Sequence, residues 1–216
     1  MFTGLIQELG KVTKITKAQS SAILTINAPQ SIRGISKGDS VAINGVCLTA
    51  IEVRESEFLA DVMVQTLRMT NLGELSEGSS VNVELSARMD SLMGGHIVQG
   101  HVDGIAKVVA RTPGERWERF VVQIPEQISQ FVVNQGSIAI DGVSLTVGEI
   151  NDETLEVTLW LIPETLAKTN LSQKQAGDTV NVEVDVLAKY VQRLISKAGA
   201  REQGICSVTC TRTLSS

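Results

Sequence analysis

Few side chains in this 216-residue sequence are equipped for chemistry. The two histidines, His96 and His101, both fall in the stretch GGHIVQGHVDG. A metal site would need them to converge. Five residues apart on a strand they point to opposite faces, because side chains alternate with a period of two. No cysteine or carboxylate cluster nearby completes a ligand set, so no metal is expected. Glycines at 94, 95, 100 and 104 suit backbone that approaches a ligand closely or bends sharply between strands. A partly buried, hydrogen-bonded imidazole is the competing reading of either histidine.

The stretches NGVCLT (44–49) and DGVSLT (141–146) are the second candidate. Each sets a small nucleophile-like residue, Cys47 or Ser144, two positions before a threonine, Thr49 or Thr146, and therefore on the same strand face. A tight Asn-Gly or Asp-Gly turn explains the glycines. It does not explain why a thiol or hydroxyl faces the same way in both copies. No Ser-His-Asp order and no G-x-S-x-G elbow can be drawn, so ligand contact is the expected role rather than covalent attack. A third pair is DVMVQT (61–66) against WLIPET (160–165), where an apolar strand ends in polar residues. Such an end either holds a heterocycle by backbone and side-chain hydrogen bonds or simply turns the chain.

These pairs belong to a repeat that spans most of the sequence. Gly45 aligns with Gly142, Cys47 with Ser144, Thr66 with Thr165, Asn71 with Asn170, Asn82 with Asn181, Gly4 with Gly100 and Lys11 with Lys107. Two copies of such length are two similar domains, since solenoids need more and shorter repeats. Within a copy, segments such as AILTINAP, FLADVMVQ and SVNVELS are short, rich in Val, Ile and Thr, and separated by turn signals. The expected class is therefore all-β. Strands at this spacing without long helices between them argue for an antiparallel barrel or sandwich, and at this size a small Greek-key barrel is the expected form, over residues 1–97 and 98–185. The pattern changes after Asp185, an acceptable N-cap. Leu187, Tyr190, Val191, Leu194 and Ile195 then fall on one face of a helix expected over 186–199. Alone in water such a helix is marginal, so its stripe needs a surface. The tail, 200–216, shows no periodicity and is expected to be disordered.

Composition narrows the class further. The residues are 43% hydrophobic but only 3% aromatic, so the cores must be aliphatic and β-branched. A net charge of −5 with scattered Lys and Arg leaves no basic stripe for nucleic acid. No apolar run approaches the roughly 20 residues that span a bilayer. The opening MFTGLIQELG does not read as a signal peptide, and Cys47, Cys206 and Cys210 are too few and too scattered for a disulfide framework. The expected location is the cytoplasm, or a plastid for a plant protein stripped of its transit peptide.

Taken together, MFTG, NGVCLT, TLRMTNLG, GGHIVQGHVDG, DGVSLTVGEI, LIPETL and VNVEVDVLAKYV resemble the signature stretches of the riboflavin synthase family, in family order from Met1 to about Gly199. The resemblance implies a cofactor-free transferase that dismutes two molecules of 6,7-dimethyl-8-ribityllumazine. It implies a homotrimer held partly by the C-terminal helix, with lumazine synthase as a further partner to test. It also implies that each barrel is six-stranded and binds one lumazine. On the first barrel the implied contacts are Gly4, Leu5 and Ile6; Cys47, Leu48 and Thr49; and Asp61, Val62, Met63, Val64, Gln65 and Thr66. On the second they are Gly100, His101 and Val102; Gln135; Ser144, Leu145 and Thr146; and Trp160, Leu161, Ile162, Pro163, Glu164 and Thr165. His101, Ser144 and Cys47 would assist proton movements, and Phe2 would seal the site. Gln65 departs from a frequent family glutamate, and Gln135 from a common lysine. The rival reading is an antenna protein of the same fold that binds lumazine or flavin without catalysis. Such proteins typically lack the histidines of GGHIVQGH, which are intact here.

Overall fold

A computed structural model describes the backbone of residues 1–209 and the side chains of residues 1–197. Six strands fill the first repeat: β1 (Glu8–Lys17), β2 (Ser21–Asn27), β3 (Ser40–Ile43), β4 (Val46–Val53), β5 (Glu57–Met63) and β6 (Ser80–Leu85). Their alternation decides which face turns inward. In β5, Phe58, Ala60 and Val62 are buried while Asp61 and Met63 stay exposed. The strands close in the order β1-β2-β5-β4-β3-β6, every pair antiparallel. Because β2 pairs with β5 rather than with β3, the chain crosses the barrel end, which is the Greek-key return. Register shifts between Val12 and Lys14 and between Ala50 and Glu52 increase the local twist that closing a small barrel requires.

The second repeat builds the same barrel from β7 (Gly104–Pro113), β8 (Glu118–Gln123), β9 (Ser137–Ile140), β10 (Val143–Asn151), β11 (Glu156–Leu161) and β12 (Thr179–Val184). Its register shifts, Val108/Ala110 and Val147/Glu149, recur at the matching places. Each barrel has its own aliphatic core around one phenylalanine, Phe58 with Leu24, Ile26 and Ile43, and Phe120 with Ile138, Ile140 and Leu159. The expected class and strand count therefore hold. Short helices α1 (Val64–Met69) and α3 (Pro163–Lys168) follow β5 and β11, and α2 (Glu126–Ser129) lies between β8 and β9. Beyond α1 and α3, Thr70 and Thr169 cap a 3-10 turn by accepting from the Leu72 and Leu171 amides.

Those turns deliver Asn71 and Asn170 to a polar layer between the barrels, with Asn44, Asn82, Asp141 and Asn181, all buried. Asn82 donates to the Asp141 carbonyl (2.9 Å) and Asn170 Oδ1 (2.8 Å); Asn181 donates to the Asn44 carbonyl and Asn71 Oδ1, both at 2.8 Å. Asn170 donates to Asp141 Oδ2 (2.9 Å) and Asn44 Oδ1 (3.2 Å), and Asn71 to Asp141 Oδ1 (2.8 Å) and the Thr179 carbonyl (3.5 Å). Both hydrogens of the Asn71, Asn82, Asn170 and Asn181 side-chain amides thus find acceptors. The layer departs from symmetry once. Where the first repeat has Asn44 and Leu75, the second has Asp141 and Lys174, whose Nζ lies 3.5 Å from Asp141 Oδ2. Burial pushes the Asp141 carboxyl above its ordinary range, and the Lys174 charge and the amide donors pull it back.

The C-terminal helix, α4 (Val186–Thr209), starts where expected, with Asp185 Oδ1 accepting from the Leu187 amide at 2.9 Å. It is longer than the expected 186–199. Gly199 is a modest penalty inside a run of good helix formers, Lys197, Ala198, Ala200, Arg201, Glu202 and Gln203, which carries the backbone past it. The disorder expected for the tail is thereby replaced by helix as far as Thr209, and 210–216 lie outside the described residues. Leu187, Tyr190, Val191, Leu194 and Ile195 are each between 55% and 70% exposed, so the barrels do not cover the stripe. Among the described residues no helix is long and apolar enough to cross a membrane.

Lys174→Leu copies the first repeat at one half of the charged pair and leaves Asp141 with no cation. Its carboxyl then rises further, so the variant keeps its stability below the ordinary aspartate range and loses it as the pH climbs through the raised value. We expect a loss of about 2 kcal/mol at neutral pH, less than removing a fully dependent partner because three N–H donors remain. Thermal unfolding against wild type should show the gap shrinking as the pH falls towards the ordinary aspartate range.

Candidate functional site

The site is organised by two tight turns that touch. Asn44-Gly45 and Asp141-Gly142 have left-handed φ at all four positions (47°, 75°, 46° and 81°), as a two-residue hairpin turn requires. A Cβ on Gly45 would come within 2.6 Å of the Gly142 amide nitrogen, and one on Gly142 within 2.7 Å of that of Gly45, so only glycine fits either place. Just beyond this contact, β4 and β10 carry Cys47 with Thr49 and Ser144 with Thr146. Cys47 and Ser144 are half-buried, while Thr49 and Thr146 are exposed beside them on the outer face.

The segments that open the two repeats then cross over. Residues 2–6 do not complete their own barrel's site: the Gly4 carbonyl accepts from the Ser144 amide at 2.8 Å. Residues 98–102 run the other way, and the Gly100 carbonyl accepts from the Cys47 amide at 2.9 Å. The arms also pair with each other, through Phe2 N–H to the Val98 carbonyl (2.7 Å) and Val98 N–H to the Phe2 carbonyl (3.1 Å). This corrects the assignment of Gly4, Leu5 and Ile6 to the first barrel and of Gly100, His101 and Val102 to the second. The physical reason is that each arm's free carbonyl meets the first unpaired amide of the opposite hairpin. A cavity of about 260 Å³ results on the first barrel, bounded by Cys47, Met63, Gln65 and Thr66 from that barrel and by Gly100, His101 and Val102 from the other repeat.

The remaining candidates divide by direction. Asp61, Met63 and Gln65, and Trp160, Ile162, Pro163 and Glu164, are exposed where β5 runs into α1 and β11 into α3, with Val64, Thr66 and Thr165 half-buried. The side chains of Leu48, Val62 and Leu161 point into the barrel cores, so only their backbone faces outward; Leu145 packs partly against the second core. Trp160 lies over Gly148 and meets Trp117 edge-to-face with centroids 4.5 Å apart. Gln135 takes a left-handed φ of 62° in the turn whose amide donates to the Val147 carbonyl. Phe2 is buried with Ala42, Val98 and Ala139 between the barrels, Cys47 packing against the cluster, rather than sitting at an open rim.

The histidines are not on a common strand and serve different copies. His101 is exposed at the Cys47 cavity. His96, left without a role in the sequence reading, is buried, and its Nδ1 lies 2.7 Å from Ser144 Oγ. Burial holds the imidazole below its ordinary range, and the Asp185 charge partly offsets this. At neutral pH His96 is therefore an uncharged imidazole in contact with a hydroxyl, able to accept its proton or return it. The linker glycine Gly95 permits this approach, since a Cβ there would lie 2.9 Å from Ser144 Oγ.

Two closed barrels, duplicated turns and crossed arms define a tandem lumazine-binding fold, and the lumazine binding domain model matches residues 3–86 and 99–185. The sequence is 47% identical over 201 residues to the riboflavin synthase of Mycobacterium tuberculosis, covering 92% of this chain and all of that one. It is 37% identical over 198 residues to that of Bacillus subtilis, covering 92% and 91%. The chain belongs to the riboflavin synthase family. The structure of LumP complexed with riboflavin matches with a TM-score of 0.79 and 28% identity over 85% of this chain and 99% of that one; LumP complexed with 6,7-dimethyl-8-(1'-D-ribityl) lumazine gives 0.77 and 27% over the same shares. The enzyme class follows from the family, and the antenna reading is not favoured.

His96→Ala removes the partner of Ser144 and should slow turnover by on the order of 100-fold, the lower range for a lost acid-base group. The acid limb of the pH-rate profile should lie below the ordinary histidine range in wild type, because protonation is what burial resists, and should vanish in the variant. A wild-type limb at or above that range would refute the role given to His96.

Proposed function

We propose that the enzyme dismutes two molecules of 6,7-dimethyl-8-ribityllumazine by four-carbon transfer, giving riboflavin and 5-amino-6-ribitylamino-pyrimidinedione. The observation that carries this is the pair of structurally equivalent sites, Cys47-Thr49 and Ser144-Thr146, each finished by an arm from the other repeat. A reaction between two identical molecules needs two similar cradles, and their relative orientation supplies much of the rate. The lumazine C7 methyl is acidic, so a carbanion forms without a cofactor. Cys47, Ser144 and His101, joined now by His96, are the groups within reach for moving protons. Gly4, Leu5, Ile6 and Gln135, with the strand-to-helix junctions 61–66 and 160–165, make the ligand contacts, largely through backbone.

The uncovered stripe of α4 supports a homotrimer, in which the first barrel of one subunit faces the second barrel of another and the two lumazines meet between them. The cytoplasm is the compartment this reading assigns. Lumazine synthase is the partner to test by co-sedimentation.

Purified protein given lumazine in excess chelator, with no nucleotide added, should release riboflavin while consuming two lumazines for each. A one-to-one stoichiometry or a strict metal requirement would overturn the reaction; binding without product would restore the antenna reading. Cys47→Ser should keep partial activity, since the second repeat uses serine at that place. Truncation after Asp185 should lower the oligomer order seen by light scattering, and truncation after Gly199 should leave it unchanged; a shortened chain that stays a tight trimer would show that α4 is dispensable for assembly.

A further inference from the structure

We propose that Glu84 and Glu183 are positioning residues, each of which builds the substrate site of the opposite barrel; the inference rests on the two-site reading above. They occupy matching places in β6 and β12, in VNVEL and VNVEV, and both are only 3% exposed. Glu84 accepts from the Thr3 amide (2.7 Å), the Thr3 hydroxyl (2.9 Å) and the Gly4 amide (3.1 Å). Glu183 accepts from the amides of Gln99 (2.6 Å), Gly100 (2.9 Å) and His101 (2.9 Å). Every hydrogen bond either carboxylate makes goes to the arm of its own repeat.

The arm transmits that hold across the molecule. Gly4, gripped by Glu84 at its amide, gives its carbonyl to Ser144 on the second barrel; Gly100, gripped by Glu183, gives its carbonyl to Cys47 on the first. A carboxylate in the first barrel thus fixes backbone at the second barrel's site, and the reverse holds. The choice of residue follows from the donors. Three donor groups converge on each carboxylate, and an ionised carboxylate is the side chain of this size that accepts at both oxygens and donates nothing. A glutamine would turn an N–H₂ towards amide hydrogens. Burial disfavours the charge on both groups, and the arm donors counter it. No salt bridge reaches Glu84 among the described residues; Lys189, paired with Asp103 at 2.6 Å, adds a favourable charge near Glu183.

The test reads direction. In Glu84→Gln, amide exchange should accelerate about 10- to 100-fold at Thr3, Gly4 and Ser144, as loss of a charge-assisted hydrogen bond predicts, with Cys47 unchanged. Glu183→Gln should accelerate Gln99, Gly100, His101 and Cys47 and leave Ser144 unchanged. With riboflavin as the probe, in a Cys206→Ser, Cys210→Ser background, Glu183→Gln should lose the protection of Cys47 from alkylation and Glu84→Gln should keep it. Acceleration confined to each residue's own barrel, or equal at both sites, overturns the assignment. Should the glutamine variants fail to fold, Glu84→Asp and Glu183→Asp must show the same directional pattern; failure of both pairs makes these glutamates general folding determinants and overturns it as well. A wild type that binds no riboflavin refutes the two-site reading, while the exchange pattern still decides this one.

Discussion

The structure depends on the buried amide layer between the barrels. Six polar side chains are buried there, and an unmet hydrogen bond would cost about 1–3 kcal/mol each. The network avoids this only when both barrels present their halves in one relative pose, because Asn82 answers Asn170 across the interface and Asn181 answers Asn71. Apolar contact between barrels would tolerate sliding. Reciprocal amide pairing does not.

That fixed pose lets the hairpin turns approach to backbone contact and lets the arms exchange. With Gly45 and Gly142 in contact, Cys47 and Ser144 stand in equivalent positions on either side of the approximate symmetry axis. Each then lies within reach of an arm that begins on the other repeat. The sites are equivalent in backbone but not in chemistry. Ser144 has a buried histidine against it, whereas Cys47 borders an open cavity with an exposed one. Trp160 occupies the place of Asp61. Two like substrates therefore meet unlike surroundings, as a reaction that makes one a donor and the other an acceptor requires.

Much of this was legible in the residues. The repeat, the strand alternation, the turn glycines, the cap at Asp185 and the stripe of α4 are local patterns, and local patterns survive folding. The crossing of the arms was not legible, because aligning Gly4 with Gly100 establishes that they are equivalent without telling which barrel receives them. The same gap hides His96: residues 96–101 form no strand and bridge only at Val98, so side-chain alternation does not govern where the two histidines point. Leu48, Val62 and Leu161 belong to the resembling stretches, yet their side chains complete the cores. Glu84 and Glu183 stood in plain view at matching positions, but a glutamate in an alternating strand reads as an outward, solvated residue until its donors are known.

The exchanged arms carry a historical implication. Two free copies of one repeat could have associated by the same reciprocal embrace, each lending its opening segment to the other. Such an ancestor would have been bound by identity: whatever residue stood at the turn stood there twice. The present Asn44 opposite Asp141, with Leu75 opposite Lys174, breaks that identity at the centre of the interface. Only a second copy of the coding sequence frees the two halves to diverge, so this single acid in a ring of amides dates to a time after the repeat was duplicated.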